Sequence, residues 1–250
     1  MTTATDSPLA PMLKKLNARE TLNAADQAAV LALPYSLRTI PAHGYIVREG
    51  DVATHSCLLR SGFAYRQKTL RDGRRQICSI HLSGDMVDLQ NSLLRVADHG
   101  VQALSDIAVA YIPREAVLEV AFTHRAVGEA MWYDTLIDAA IFREWMANIG
   151  QRSAVVRLAH LLCEFGLRFE AAGLGERDSF TLPMSQEQLG DCTGLTSVHV
   201  NRMLRVLRER GLVAITKGAV RIVDWAQLAR AGDFTRGYLH LPAEQRAAAD

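Results

Sequence analysis

The segment from Met184 to Ile222 concentrates basic side chains. Six basic residues stand there against three acidic ones, although the whole chain of 250 residues has a formal net charge of only +1. Arginine guanidinium groups pair bidentately with O6 and N7 of guanine and bind phosphate oxygens. The near-zero total charge therefore does not exclude a nucleic-acid partner, because a local excess of +3 is offset by −2 elsewhere.

Two short helices are predicted to carry these arginines. Ser185 with Gln188 three residues later forms a capping box that opens a helix over 186–192. Thr193-Gly194-Leu195 is a tight turn, and Thr196 caps a second helix, Ser197–Arg210. The inward stripe of that helix recurs at helical spacing, at Val200, Met203, Leu204 and Leu207. This pattern predicts a helix-turn-helix.

The residues that follow predict a β-hairpin. Leu212–Thr216 and Ala219–Val223 alternate as strands do, and Lys217-Gly218 joins them. Gly211 stands where a helix commonly ends in a left-handed residue. The hairpin corresponds to the wing of a winged helix. A solvated basic face on an ordinary helix pair is the alternative interpretation, and the complete turn and wing favour DNA binding over it.

The sequence pattern of the N-terminal half is typical of short β-strands. From Leu37 to about Pro113, glycines separate short apolar runs that recur at roughly ten-residue spacing. This pattern predicts a small antiparallel barrel or sandwich. Asp72-Gly73 between two such runs is a strong hairpin signal. In the second run Cys78, Ile80 and Leu82 share one apolar face.

A long helix is predicted between these halves, from about Ala126 to Ile149, spanning roughly 36 Å. Its periodicity fits a core helix or a dimer helix, and a barrel of about 100 residues is too small to cover both sides of it. The apolar stripe expected at the dimer interface consists of Trp132, Leu136, Ala139, Phe142, Met146 and Ile149. Gly150 and Ser153 are the expected hinge, with Ser153 capping a helix over Ala154–Phe169.

The composition limits the class of protein and its cellular location. Hydrophobic residues make up 49% of the chain and charged residues 22%, as in folded soluble proteins. No apolar run approaches the roughly 18 residues of a membrane span, and no secretory signal is visible near Met1–Pro11, so a cytoplasmic location is expected. The cysteines, Cys57, Cys78, Cys163 and Cys192, contain no C-x-x-C pair and are interpreted as buried thiols.

Taken together, residues 24–224 resemble the Crp/Fnr family of bacterial transcription regulators. The most specific piece is Ser185–Val213 with its wing. The others are the long helix leading to Arg157-Leu158-Ala159, and the barrel motifs Arg48-Glu49-Gly50-Asp51, Leu58-Leu59-Arg60-Ser61-Gly62 and Ser83-Gly84-Asp85.

The resemblance implies an α+β fold with an N-terminal β-roll (a jelly roll like cyclic-nucleotide-binding domains), a long dimerisation helix and a C-terminal winged helix-turn-helix. The domains expected are an arm over 1–23, a β-roll over 24–122, the dimer helix with its hinge over 123–152, the DNA-binding domain over 153–227 and a tail over 228–250.

The resemblance also implies a function and its residues. The protein is expected to bind double-stranded DNA as a homodimer on a near-palindromic site, to contact RNA polymerase and to catalyse nothing. Family base-reading positions fall on Ser197, Val198 and Arg202. Only Arg202 keeps the family's residue type, so the usual half-site is in doubt. Further DNA contacts are expected from His199, Asn201, Arg205 and Lys217.

No cofactor is expected, and the effector is left open. After Gly84-Asp85 the chain reads Asp88-Leu89, where nucleotide binders have Gly-Glu, and Asp98 near the phosphate position would repel cAMP or cGMP. An iron–sulfur cluster is not expected because residues 1–56 contain no cysteine. A haem or other metal is not expected because His43, His55, His81 and His99 lack ligand spacing.

The alternative from another class is a β-barrel enzyme or metal-binding cupin-like protein with an accessory helix-turn-helix. Such a centre needs two histidines and a carboxylate on neighbouring strands. His55 and His81 lie 26 residues apart without the H-x-[DE] motif, which disfavours this alternative.

Overall fold

The structure, a computed structural model, describes residues 7–241. Their contacts form two compact units, one containing residues 7–68 and 79–139, the other residues 69–78 and 140–241. Residues 1–6 of the expected arm and 242–250 of the expected tail lie outside the described residues. Among residues 7–241, none of the helices combines the length and the apolar composition that a membrane span requires.

The first unit is a β-roll flanked by short helices. Its sheets have the strand orders β1-β7-β3 and β2-β6-β4-β5, which confirms the predicted antiparallel β unit. The elements in chain order are α1 (Ala10–Asn17), α2 (Ala24–Leu31), β1 (Ser36–Ile40), β2 (Tyr45–Val47), β3 (His55–Ser61), β4 (Ala64–Thr69), β5 (Arg75–His81), α3 (Asn91–Leu94), β6 (Gly100–Ala103), β7 (Ile107–Pro113) and α4 (Arg114–Thr123).

The β4–β5 turn forms as its sequence predicts. Gly73 has a φ of 83°, and the Leu70 amide donates to the Arg74 carbonyl at 2.8 Å. The polar face of β5, however, is buried as well as the apolar one. Ser79 and His81 are 3% and 4% exposed, and the Ser79 hydroxyl donates to Asp138 at 3.3 Å. Alternation along β5 does not reveal this, because the partner comes from the long helix.

The long helix α5 runs over Arg125–Gln151, slightly beyond its predicted limits. Its own chain covers a face that includes Met131, Ile137 and Trp145. The predicted stripe lies elsewhere on the helix. Trp132, Leu136, Phe142 and Met146 are 46–68% exposed, and Ala139 and Ile149 are half-buried.

The interruption predicted at Gly150 lies two residues later. Gly150 is helical, and the break comes at Arg152 and Ser153. Ser153 occupies the N-cap position of α6 (Ala154–Ala172), but its side chain makes no capping hydrogen bond. Glycine is tolerated inside this helix, so its presence alone did not locate the end.

The second unit is a winged helix with an extra hairpin. Its four-stranded sheet has the order β10-β11-β9-β8. Residues 171–178 contain the end of α6 and the start of the β8–β9 hairpin. The elements after α6 are β8 (Gly175–Glu176), β9 (Ser179–Thr181), α7 (Gln186–Thr193), α8 (Ser197–Glu209), β10 (Val213–Thr216), β11 (Ala219–Ile222), α9 (Trp225–Ala231) and a 3₁₀ turn over Gly237–Leu239.

A buried carboxylate anchors α6 in this unit. Glu164 is fully buried and accepts hydrogen bonds from Trp145 Nε1 at 2.9 Å, Tyr238 OH at 2.8 Å and Arg168 Nη1 at 3.1 Å. Trp145 belongs to the end of α5 and packs inside its own chain.

A second buried carboxylate lies in the β-roll. Asp88 Oδ1 accepts from the Cys57 amide at 2.7 Å and the Ser56 hydroxyl at 3.2 Å. Burial raises the pKa of the Asp88 carboxyl to about 6, and these two hydrogen bonds only partly oppose the shift.

The raised pKa predicts how stability changes with pH. The folded state holds the Asp88 proton more tightly than the unfolded chain, where the pKa is about 3.9. This contribution is therefore complete below about pH 4 and is lost as pH rises towards 6, by up to about 3 kcal/mol. Asp88→Asn keeps both hydrogen bonds and cannot ionise. Urea unfolding at pH 4 and pH 7 should show the variant gaining stability relative to the parent at the higher pH.

Asp72→Asn is the control for this measurement. The amide and side chain of Arg74 lower the pKa of the exposed Asp72 carboxyl, so its substitution should change relative stability in the opposite direction. Parallel pH profiles for Asp88→Asn and the parent would contradict the assignment.

Candidate nucleic-acid interface

The first helix of the pair begins at the predicted capping box. The Gln188 amide donates to Ser185 Oγ at 3.2 Å, and the Ser185 amide donates to Gln188 Oε1 at 2.8 Å. These bonds satisfy amides that a helix start leaves unpaired. The helix ends at Gly194, whose φ of 66° is left-handed.

The turn between α7 and α8 depends on close backbone approach at Gly190. The Leu195 amide donates to the Gly190 carbonyl at 3.0 Å. A Cβ placed on Gly190 would lie 2.4 Å from the Leu195 carbonyl oxygen. The Thr193 hydroxyl closes the same turn by donating to the Leu189 carbonyl at 2.7 Å.

The second helix, α8, presents the predicted DNA-contacting side chains to solvent. The His199 amide donates to the Thr196 hydroxyl at 3.3 Å, which caps the helix as expected. Val200, Leu204 and Leu207 are buried, and Met203 is half-buried. On the outer face Ser197, Val198, Asn201, Arg202 and Arg205 are exposed, whereas His199 is half-buried.

The outer face of α8 carries three arginines, Arg202, Arg205 and Arg208. Within residues 7–241, no hydrogen bond or ion pair is found for the side chains of Arg202, Arg205 or Arg208. An unpaired row of guanidinium groups is the donor arrangement that phosphates and guanine edges require.

The tip of the wing adds an exposed cation to those of α8. β10 and β11 pair from Val213↔Ile222 to Thr216↔Ala219. Lys217 and Gly218 between them have φ values of 49° and 84°, as in the two-residue turns that favour Gly at the second position. Lys217 is exposed at the tip.

One acid of this segment is neutralised by a residue that sequence reasoning missed. Asp191 on α7 accepts from Arg75 Nε at 2.8 Å and Nη2 at 2.6 Å, and the Gln76 side chain donates to the Asp191 carbonyl. Arg75 and Gln76 belong to the β4–β5 hairpin, 116 and 115 residues away in sequence. Only the three-dimensional structure brings them together.

Asp98, considered for the nucleotide phosphate, lies beside His99, one of the histidines considered for a metal. Asp98 bonds His99 Nδ1 at 2.5 Å, and its side chain is 74% exposed. Arg95 is exposed with a φ of 61°. His81 and His99 are buried, and burial lowers the pKa of both. Across the part of the chain described, no three His, Cys, Asp or Glu side chains converge as a metal site would require.

Family models match both halves of the chain. Residues 156–231 match the Crp-like helix-turn-helix domain, and residues 37–124 match the cyclic nucleotide-binding domain. The protein belongs to the Crp/Fnr family of transcription regulators. It is a DNA-binding regulator of Crp/Fnr type.

Named relatives agree with this membership. The transcriptional activator FnrL of Cereibacter sphaeroides is 28% identical over 220 residues, covering 86% of this chain and 88% of FnrL. The transcriptional activator Anr of Pseudomonas protegens is 27% identical over 234 residues, 93% of each chain. Among solved structures, FixK2 from Bradyrhizobium japonicum has a TM-score of 0.72 at 24% identity, covering 80% of this chain and 98% of FixK2.

These comparisons decide between the two classes considered from the sequence. The relatives are transcription regulators and not enzymes, which removes the cupin-like alternative. The similarity to FixK2 supports the β-roll, long helix and helix-turn-helix order of the Crp/Fnr fold.

Because the Leu195 backbone lies so close to Gly190, a side chain at position 190 should destabilise the fold. Gly190→Ala forces a Cβ against a backbone oxygen, and we expect overpacking to cost about 1–3 kcal/mol of unfolding free energy. Gly150→Ala is the control at another helical glycine, where no atom lies within 4 Å of the added Cβ. That change should instead stabilise by about 0.5–1 kcal/mol. Denaturant unfolding of both variants measures the contrast, and equal effects would contradict it.

Proposed function

We propose that the protein binds a near-palindromic DNA site as a homodimer, with α8 in the major groove of each half-site. The observation that carries the proposal is the exposed arginine row of α8, unpaired among residues 7–241, on a helix pair held by the Ser185 and Thr196 caps and the close turn at Gly190. A cytoplasmic regulator of this kind acts on chromosomal DNA, and its dimer would place two recognition helices about one DNA turn apart, roughly 34 Å.

Base contacts are assigned to the exposed start of α8. Arg202 reads guanine through O6 and N7, Asn201 reads adenine, and Val198, 79% exposed, packs on a thymine methyl. Ser197 and His199 contribute hydrogen bonds at the same end of the helix. Arg205 and Lys217 contact phosphates, which position the protein without reading sequence.

The dimer interface is assigned to the exposed apolar face of α5, formed by Trp132, Leu136, Ala139, Phe142, Met146 and Ile149. Large exposed apolar patches mark interaction surfaces. A homodimer would bury this face against its own copy, in an isologous interface.

Regulation is assigned to the break after α5. An effector, which is neither cAMP nor cGMP in this proposal, would change the conformation of the hinge from Gly150 to Ser153. Contact with RNA polymerase is proposed because FnrL and Anr are named transcriptional activators.

DNA footprinting on the promoter beside the protein's own gene tests the function. A protected inverted repeat is expected, and its absence would contradict the proposal.

Arg202→Ala should cost about 1–3 kcal/mol of DNA-binding free energy and relax the base preference at one position. Lys217→Ala should weaken binding to all sequences and reduce the salt slope by about 1. Arg230→Ala, an exposed arginine on α9, controls for charge alone.

Light scattering after size exclusion tests the dimer. Leu136 is 52% exposed, so Leu136→Asp places a charge on the α5 face without cutting into the core. We expect monomers and lower DNA affinity because the charge would be buried unpaired in the interface. Leu93→Asp, at a 67% exposed site on α3, is the control and should remain dimeric. A dimeric Leu136→Asp protein would refute this interface.

A further inference from the structure

We propose that the winged-helix unit contains a binding site for a small amphiphilic anion, a carboxylate of about ten non-hydrogen atoms in all. The site is a cavity of about 240 Å³, partly open to solvent and lined by residues of α6, α7, α8 and the wing. An engineered apolar cavity of about 150 Å³ holds benzene, and pockets for drug-sized ligands begin near 300 Å³. The volume therefore suits a ligand between these sizes.

The walls of the cavity are apolar. Leu158, Leu161 and Leu162 of α6 line one side, and Leu189 and Leu204 of the helix pair line another. All five are 6% exposed or less. Such walls accept an alkyl chain or an aromatic ring and offer no hydrogen bond to a polar one.

The polar side chains that line the cavity are Gln186, Arg208 and Lys217, and none of the described lining residues is acidic. Neither Arg208 nor Lys217 has an ion pair or hydrogen bond within residues 7–241. Gln186 is the first residue of α7, so the positive end of that helix dipole adds to the two cations. Charge complementarity thus selects an anionic head group over a neutral or cationic one.

Occupancy has a consequence for DNA, which rests on the proposed function. Lys217 is a proposed phosphate contact and Arg208 lies on the same helix as Arg202 and Arg205. A carboxylate bound to Lys217 would remove a cation from the DNA surface and weaken DNA binding.

The test uses octanoate, with ten non-hydrogen atoms, and the full chain labelled with ¹³C at its seven methionine methyl groups. Met184 lines the cavity, whereas Met12 is buried in the first unit. We expect a saturable shift of the Met184 signal, assigned with Met184→Leu, and no shift of Met12. 1-Octanol, which has the chain without the charge, should bind at least tenfold more weakly, since a charge-assisted hydrogen bond is worth about 1.5–3 kcal/mol.

Charge variants locate the head group. Lys217→Gln and Arg208→Gln should each weaken octanoate binding about tenfold while leaving 1-octanol unchanged. Arg205→Gln is the matched control, because Arg205 is exposed on the same helix and does not line the cavity. These are surface positions, so the variants are expected to fold.

The site is refuted if Met184 shows no saturable shift, if Met12 shifts as much, or if 1-octanol binds as tightly as octanoate. These measurements contain no DNA, so their failure is separate from failure of the proposed function. If octanoate binds as described yet leaves affinity for the footprinted DNA unchanged, the competition with phosphate is refuted and the binding site stands.

Discussion

The DNA-binding unit depends on one buried carboxylate, that of Glu164. A buried charge is costly unless it is paired and hydrogen-bonded, and removing one partner of such a group destabilises strongly. The donors to Glu164 come from Trp145 at the end of α5, Arg168 on α6 and Tyr238 near the end of the described chain. Because these groups must meet at one point, α6 is fixed against both the preceding helix and the residues after α9. The helix-turn-helix and the wing then pack on this fixed helix.

The polar side chains around Glu164 are hydrogen-bonded in the same way. His160 Nδ1 lies 3.1 Å from the Gly232 carbonyl, and its Nε2 lies 3.1 Å from the Tyr238 hydroxyl. Arg152 donates to Glu144 at 2.7 Å and bonds Asp233. The region directly before α6 is therefore held by polar contacts of defined geometry, so a change in it would have to break identified bonds.

The sequence predicted the local features of this unit well and the long-range features poorly. The capping box, the glycine turn and the wing turn each depend on residues at most five positions apart, so local sequence patterns predict them. Arg75 and Asp191 are separated by 116 residues, and no sequence pattern in β5 or α7 predicts their pairing. Burial of Ser79 and His81 follows from Asp138 on another element. The two-residue strand β8 is too short to alternate.

The arginines divide into those that stabilise the fold and those that are available to a partner. Arg157 donates to the Arg152 and Thr193 carbonyls, and Arg66 donates to Asp138 and the Val87 carbonyl. Such arginines satisfy buried acceptors, so the fold itself accounts for them. Arg202, Arg205 and Arg208 have no polar partner among residues 7–241, and four large apolar side chains of the α5 face are 46–68% exposed there. Because neither feature stabilises the described fold, each is best explained by a partner: a polyanion for the arginines and an apolar surface for the helix. The whole-chain charge of +1 conceals this division, since a total over the sequence does not separate cations with a partner in the fold from cations without one.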